Sequence, residues 1–265
     1  KIYAIDLVPP KKNYKKVVFI KKNIFDKESL AELFKSITID SFIHLVGSPS
    51  VWKSEQDPMK DLEINLFSLL SILRFAKDIS LKRVIFSSSC QVIETFQNAK
   101  KTNYGISKHM AEIYIEKLCE DLNIDFCILR PSWIYGPSMV KNPIYDIIGA
   151  YKKGKTKMFI AEDSSLDFVY SKDVALAFFK AATERDWRNK TLNISSNKSI
   201  KITKIKKIVE EITAKKLHLT FPRDLEAEEI KYDNSEAIAL GWKNKYEVKQ
   251  GIQEIIEISK RSFKN

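Results

Sequence analysis

The chain has 265 residues, 44% of them hydrophobic and 30% charged, a globular balance that excludes collagen-like, mucin-like and disordered classes. Its 45 Lys and Arg against 34 Asp and Glu leave a formal charge of +11; such a surface attracts phosphates, but the excess is spread as Lys pairs rather than one tract, so solvation accounts for it without a nucleic-acid partner. No apolar run approaches the roughly 18 residues of a membrane span, and Cys90, Cys119 and Cys127 lack paired spacing, which predicts buried free thiols in a reducing cytoplasm and neither disulfides nor a metal site.

The elements alternate. Residues 1–7 are a β-rich run that ends on Asp6 and passes into Val8-Pro9-Pro10, a strand with its stop signal. A second strand is predicted over 15–20, an acid-first helix over 26–34, a strand over 41–46, a longer helix over 59–77 and a strand over 83–89. A helix over 104–123 and a strand over 126–129 continue the pattern. Beyond Pro137 the order loosens: a helix over 143–152, a strand over 157–160, a strand and helix over 167–183, a strand over 191–194, and helices over 202–213 and 248–261.

Strands alternating with helices predict an α/β fold, a doubly wound, Rossmann-like parallel sheet covered on both faces. Residues 1–135 are expected to form a dinucleotide-binding domain, with 167–183 returning to it, and 136–265 a smaller mixed substrate lobe. Dinucleotide folds open with a strand, a Gly-rich turn and a helix, followed about 20 residues on by an acid for the ribose. Asp6 suits that acid, yet none of the seven glycines forms such a turn. The expectation is therefore a further strand, turn and helix of roughly 25 to 30 residues upstream of Lys1, without which the strands ending at Asp6 and near Val46 would leave backbone groups unpaired.

Chemistry concentrates in one stretch. Ser87-Ser88-Ser89 ends a strand placed where open α/β sheets bind ligands. Tyr104 and Lys108 are four apart on a helix and share a face. A phenol titrates near 10 and needs a nearby cation to act as a base at neutral pH, and Lys108 is spaced to supply one, while a serine hydroxyl holds the same substrate oxygen. His44 reads as a packed strand residue, and His109 and His218 as surface residues.

At these residues the sequence resembles the extended short-chain dehydrogenase/reductase family of NAD-dependent nucleotide-sugar epimerases, dehydratases and reductases. The resemblance runs through Ile43-His-Leu-Val-Gly47, Asp57-Pro58 followed by Asn65, the serine-ended strand, Tyr104-Gly-Ile-Ser-Lys108, Leu129-Arg-Pro-Ser-Trp-Ile-Tyr-Gly-Pro137, Asp167-Phe-Val-Tyr-Ser-Lys-Asp173, Leu240-Gly-Trp242 and Gly251. It implies Ser89, Tyr104 and Lys108 as the catalytic set. Asp6 would hold the adenosine ribose and favour NAD over NADP, Asn23 and Ile24 would flank the adenine, and Leu45, Val46 and Gly47 would pass behind the cofactor. Asn65 would support the strand ends, Ser87 would lie beside the cofactor, and Pro131 and Ser132 would border the nicotinamide.

Departures narrow the reading. Cys90-Gln91 stands where dehydratases usually carry Asp-Glu, Leu166 stands where an Arg commonly contacts the nucleotide diphosphate, Trp133 replaces an Asn common in 4-epimerases, and only 14 residues (90–103) separate Ser89 from Tyr104. The sequence thus points to an NAD-dependent epimerase or keto-reductase of a nucleotide-activated sugar, expected as a homodimer. The alternative is a non-catalytic scaffold that binds RNA or a protein through its basic surface.

Overall fold

The computed structural model describes every residue except 11–13, 49, 98–100, 138, 140–141 and 262–265. The chain divides into two compact units: residues 1–128 with 188–190, and residues 129–187 with 191–265.

In the first unit, β1 (Ile2–Asp6) and β2 (Val17–Lys21) pair in parallel, Ile2 opposite Val17 and Asp6 opposite Lys21. The Asp26 side chain accepts from the Ser29 amide and starts α1 (Lys27–Phe34), satisfying one of the amides that a helix start leaves open. β3 (Ser41–His44) runs parallel to β4 (Arg83–Ser87), with His44 opposite Phe86. Between them lie α2 (Val51–Gln56) and α3 (Pro58–Leu62), then a π-helical turn (Glu63–Phe67) and α4 (Ser68–Leu73). After β4 come α5 (Gln91–Phe96), α6 (Asn103–Leu122) and β5 (Asp125–Pro131), which neighbours β4. Thr102 caps α6 by accepting from the Gly105 amide, and Asn123, at φ 54°, ends it in the left-handed conformation that asparagine tolerates.

Val84, Ile85 and Phe86 are fully buried, as expected of a strand covered on both faces. One core holds the unit together: Leu30 and Phe34 of α1, Leu69 and Ile72 of α4, Val84 and Phe86 of β4, and Ala111 and Ile115 of α6, with Ile5 of β1 packed against the same cluster. β1 has β2 as its paired neighbour and β3 has β4, so each keeps one edge without a strand partner among the described residues.

The second unit contains β6 (Trp133–Tyr135), α7 (Pro143–Lys153), β7 (Lys155–Lys157), β8 (Ser165–Tyr170), α8 (Ser171–Thr183), β9 (Lys190–Ile194), β10 (Ser199–Lys201), α9 (Ile202–Thr213), β11 (His218–Thr220), α10 (Ser235–Ala239) and α11 (Val248–Arg261). The buried β8 is central to a three-stranded sheet, parallel to β6 and antiparallel to β10; β7 and β11 pair in parallel. Two motifs of the sequence meet here, since Trp242 Nε1 donates to the Asp173 carbonyl at 2.9 Å, and the Lys245 and Tyr246 amides donate to the Asp173 carboxylate at 3.1 Å each.

Several expectations are corrected. The strand predicted over 157–160 is β7 at Lys155–Lys157, because Gly154, at φ 81°, caps α7 in one residue and lets the strand begin at once. The helix predicted over 59–77 is two α-helices joined by the π turn and ends at Leu73. Segment 167–183 belongs to the second unit, where β8 has both its partners; 188–190 is the piece that returns to the first. The short helices α2, α5 and α10 and strands β6, β10 and β11 were not foreseen, being too short to show a period.

Gly251 of α11 lies directly on Tyr135: a Cβ there would come within 2.5 Å of the ring, and Tyr135 is fully buried. Overpacking of this kind costs about 1–3 kcal/mol. Gly251→Ala should lower the unfolding free energy by that amount, read as a lower urea midpoint at an unchanged slope, whereas a mutant unfolding like the parent would show that the ring has room to move.

Candidate active site

The carboxyl end of β4 and the first turns of α6 build the site. Ser89 Oγ accepts from the Gln91 amide at 3.1 Å at the start of α5, and the Ser89 hydroxyl is also hydrogen-bonded to Tyr104. Because its oxygen already accepts from Gln91, the serine is set to donate its proton toward the phenol. Tyr104 is half-buried; burial pushes its phenol up to about 12, the Ser89 hydrogen bond opposing and the negative charge of Asp61 reinforcing the shift.

Lys108 is 4% exposed. Its Nζ donates to the Ser87 carbonyl at 2.9 Å and stands 4.8 Å from the centroid of the Phe86 ring. Burial lowers the ammonium to about 8, against the pull of Asp61 and Glu112. In this structure the lysine turns to the strand end, its Nζ on the Ser87 carbonyl.

Gly47 follows β3 closely behind this lysine. A Cβ on it would lie 3.0 Å from Lys108 Nζ and 3.1 Å from Asn65 Oδ1, so the approach requires a bare backbone. Asn65, fully buried in the π turn, accepts from the Ser48 amide at 2.9 Å and donates to Asp61 Oδ1 at 2.8 Å and Ser107 Oγ at 3.0 Å. A π turn re-aims one side chain of a helix and is common at functional sites.

Other expected residues stand apart from this cluster. Asp6 Oδ1 accepts from the Val8 amide and Asn23 Oδ1 from the Phe25 amide, each at 3.0 Å; Ile24 packs on the core. Leu45 is exposed and Val46 half-buried. Pro131 and Ser132 belong to the second unit, where the Ser132 hydroxyl donates to Asp167, a fully buried carboxylate that also accepts from Ser196 and the Tyr232 amide. Leu166 is a fully buried core residue.

The sequence reading missed Asp61, Ser107 and Glu112. Asp61 lies four residues before Asn65 in a helical run, a spacing that shares one face, but an acid in such a helix reads as solvated until its neighbours are known. Glu112 accepts from the buried Ser88 hydroxyl and pairs with His109 at 3.2 Å, and His109, expected on the surface, is half-buried beside Phe96.

His44 behaves as a packed strand residue, 1% exposed and stacked on Phe86. Ser68 Oγ donates to the Ile64 carbonyl, leaving its oxygen to accept from His44 Nε2 at 3.0 Å. Burial, with the Lys108 charge adding to it, holds this imidazole down to about 3 from an ordinary 6.5. The unfolded chain takes up a proton below pH 6.5 that the folded one refuses, so this group removes stability as pH falls from 6.5 toward about 3. His44→Asn should flatten the loss of melting temperature across that window, and equal slopes for mutant and parent would rule the imidazole out as its source.

Comparison with known proteins agrees with the arrangement. Residues 3–195 match the family model described as NAD dependent epimerase/dehydratase family. A Methanocaldococcus jannaschii protein named "Putative UDP-glucose 4-epimerase" is 26% identical over 264 residues, covering 93% of this chain and 85% of the relative. The solved structure of a Thermotoga maritima UDP-glucose 4-epimerase with UDP-glucose superposes with a TM-score of 0.86 at 22% identity, covering 98% of this chain and 91% of that one. A Thermus thermophilus UDP-glucose 4-epimerase in complex with NAD gives 0.84 at 22% identity over 97% and 90%. No described helix is long and apolar enough to cross a membrane.

Proposed function

Because the chain belongs to the NAD dependent epimerase/dehydratase family, we propose that it epimerises a nucleotide-activated sugar, with residues 1–128 carrying the cofactor end and the second unit the sugar-nucleotide end. The observation that carries this is the Ser89, Tyr104 and Lys108 cluster at the end of β4, with a serine proton aimed at the phenol and a buried ammonium one helical turn on. The relatives named as UDP-glucose 4-epimerases make a UDP-hexose the first substrate to test.

The residues fit a dinucleotide at its two ribose ends. Among the described residues Lys108 Nζ donates to the Ser87 carbonyl, and an ammonium with three donors keeps others for sugar hydroxyls beside the bare backbone of Gly47; Asp6 offers a carboxylate oxygen at the end of β1. The diphosphate has no Gly-rich turn in this sequence to hold it. NAD, when bound, supplies the hydride acceptor and donor. Ser89 orients the reacting sugar oxygen, Tyr104 takes and returns its proton at Oη, and Lys108 supplies the positive charge that makes this transfer feasible. The sugar carbinol loses its carbon-bound hydrogen as a hydride and its hydroxyl proton to Tyr104, the ketone turns, the hydride returns to the other face of the carbon and Tyr104 returns the proton to the oxygen.

A second reading rests on the short interval of 14 residues (90–103) between Ser89 and Tyr104 and on Trp133: a keto-reductase using the same residues. Parallel incubations with UDP-glucose and NAD, and with a UDP-4-keto-hexose and NADH, separate the two, since an epimerase changes the C4 configuration in the first with no net cofactor consumption and a reductase consumes NADH in the second. The retained Ser89, Tyr104 and Lys108 arrangement does not favour a purely binding scaffold. Met59 and Phe67, with Met110, Ile113 and Tyr114 of α6, leave apolar surface exposed on neighbouring helices, and a second copy of the chain is the occupant we assign to it.

Tyr104→Phe deletes one hydroxyl and no core volume. Turnover should fall by about 10²- to 10⁴-fold with circular dichroism and melting unchanged; a fully active mutant would refute the assignment. Asp6 bears on the cofactor, since a carboxylate repels a 2′-phosphate. NAD(H) should bind more tightly than NADP(H), and Asp6→Asn should narrow the gap. Equal discrimination before and after the change would place Asp6 away from the ribose.

A further inference from the structure

Two buried carboxylates act on the Lys108 charge, Asp61 and Glu112. Glu112 is engaged by Ser88 and His109. Asp61 is 3% exposed, and both its oxygens are held by side chains that lead into the site. Oδ1 accepts from Asn65 Nδ2 at 2.8 Å and Oδ2 from Ser107 Oγ at 2.5 Å, while Asn65 Nδ2 also reaches Ser107 Oγ, closing a ring of three residues.

Each partner continues outward to a different element. Ser107 lies between Tyr104 and Lys108 on α6, its hydroxyl 3.1 Å from the Tyr104 carbonyl. Asn65 Oδ1 holds the Ser48 amide beyond β3 and shares with Lys108 Nζ the space beside Gly47. One carboxylate thus ties the turn that carries the phenol and the ammonium to the chain leaving β3.

A tie alone needs no charge. Burying a carboxylate costs several kcal/mol, and a neutral side chain of similar shape is often as stable. Of the two lysines that line the same cleft of about 330 Å³ as Asp61, Lys53 and Lys60, the latter pairs with Glu63. Among the described residues, the negative charges that act on Lys108 are those of Asp61 and Glu112, and the buried His44 beside it is neutral. The ring through Ser107 brings the Asp61 charge to the turn of α6 that carries the lysine.

On the reading of Tyr104 and Lys108 as the catalytic pair, we propose that Asp61 is their positioning residue: through Ser107 it fixes the first turns of α6, and its buried negative charge keeps Lys108 an ammonium. Removing that charge leaves burial less opposed, so Lys108 loses its proton at lower pH.

The test is a pH titration of lysine ¹³Cε resonances in the full chain, with Lys108 identified by the signal lost in Lys108→Arg. Asp61→Asn should move the Lys108 midpoint down by about one pH unit or more and draw the alkaline limb of turnover down with it. Ser107→Ala, which keeps the charge and breaks the tie, should leave the midpoint in place and lower kcat with KM little changed. An unmoved midpoint in Asp61→Asn overturns the proposal whatever the activity does, as does an equal shift in Ser107→Ala. A shifted midpoint with an unmoved alkaline limb upholds the charge effect and counts instead against Lys108 as a participant in turnover. Should Asp61→Asn not fold, Asp61→Glu and Asp61→Gln, which share a shape, answer the same question: a lower midpoint in Gln supports the proposal and equal midpoints refute it.

Discussion

A lysine ammonium can be kept in an apolar interior only with opposite charge and hydrogen-bond acceptors close by, and the packing of the first unit meets that requirement at Lys108. The Ser87 carbonyl at the end of β4 accepts from it, the Phe86 ring lies beneath it, and Asp61 and Glu112 oppose the cost of its burial. These groups come from three elements, with Ser87 and Phe86 on β4, Asp61 on α3 and Glu112 on α6. The β4 end, α3 and α6 must therefore sit in register before the ammonium is tolerated, which makes the site and the core of this unit a single packing problem.

The neighbouring residues follow from the same constraint. Gly47 lacks a side chain because Lys108 Nζ and Asn65 Oδ1 occupy its space. Asn65 sits in a π turn, where its amide reaches both Asp61 and Ser107 while its carbonyl oxygen holds Ser48. His44 stays neutral, since a second cation beside Lys108 would add repulsion to the cost of burial. α5 bears on Ser89, whose oxygen accepts from Gln91 and whose proton is thereby turned toward Tyr104. The second unit uses the same device for support: Asp167 collects donors from Ser132, Ser196 and Tyr232, and Asp173 collects the amides of Lys245 and Tyr246.

Long elements with strong periodicity were legible in the sequence. The helix over α6, the buried β4 and the longer helices of the second unit fall near their expected bounds, because burying one stripe or both faces imposes a pattern that no local choice can hide. Short elements were not. β10 and β11 have three residues each and α10 has five, too few to repeat a period, and they form because hydrogen-bond partners distant in sequence are already in place. The split of the helix at 63–67 was equally hidden, since its residues are ordinary helix formers and the π turn arises from what Asn65 must reach.

For the site, the amino-acid sequence by itself determined the candidate side chains that the structure brings together: a serine-ended buried strand, a Tyr and a Lys on one helical face, a bare glycine behind them, and the family to which the chain belongs. It could do so because those residues act through their chemical type and their spacing along a single element. Tertiary structure alone decided their protonation and their supports. Asp61 is an ordinary helix acid in sequence and a buried carboxylate in space, Ser107 is an ordinary helix serine until Asn65 and Asp61 meet it, and burial raises the phenol while the Ser89 hydrogen bond opposes it. Burial and charge at a point sum over every element that packs there, and that sum has no representation in any one stretch of chain.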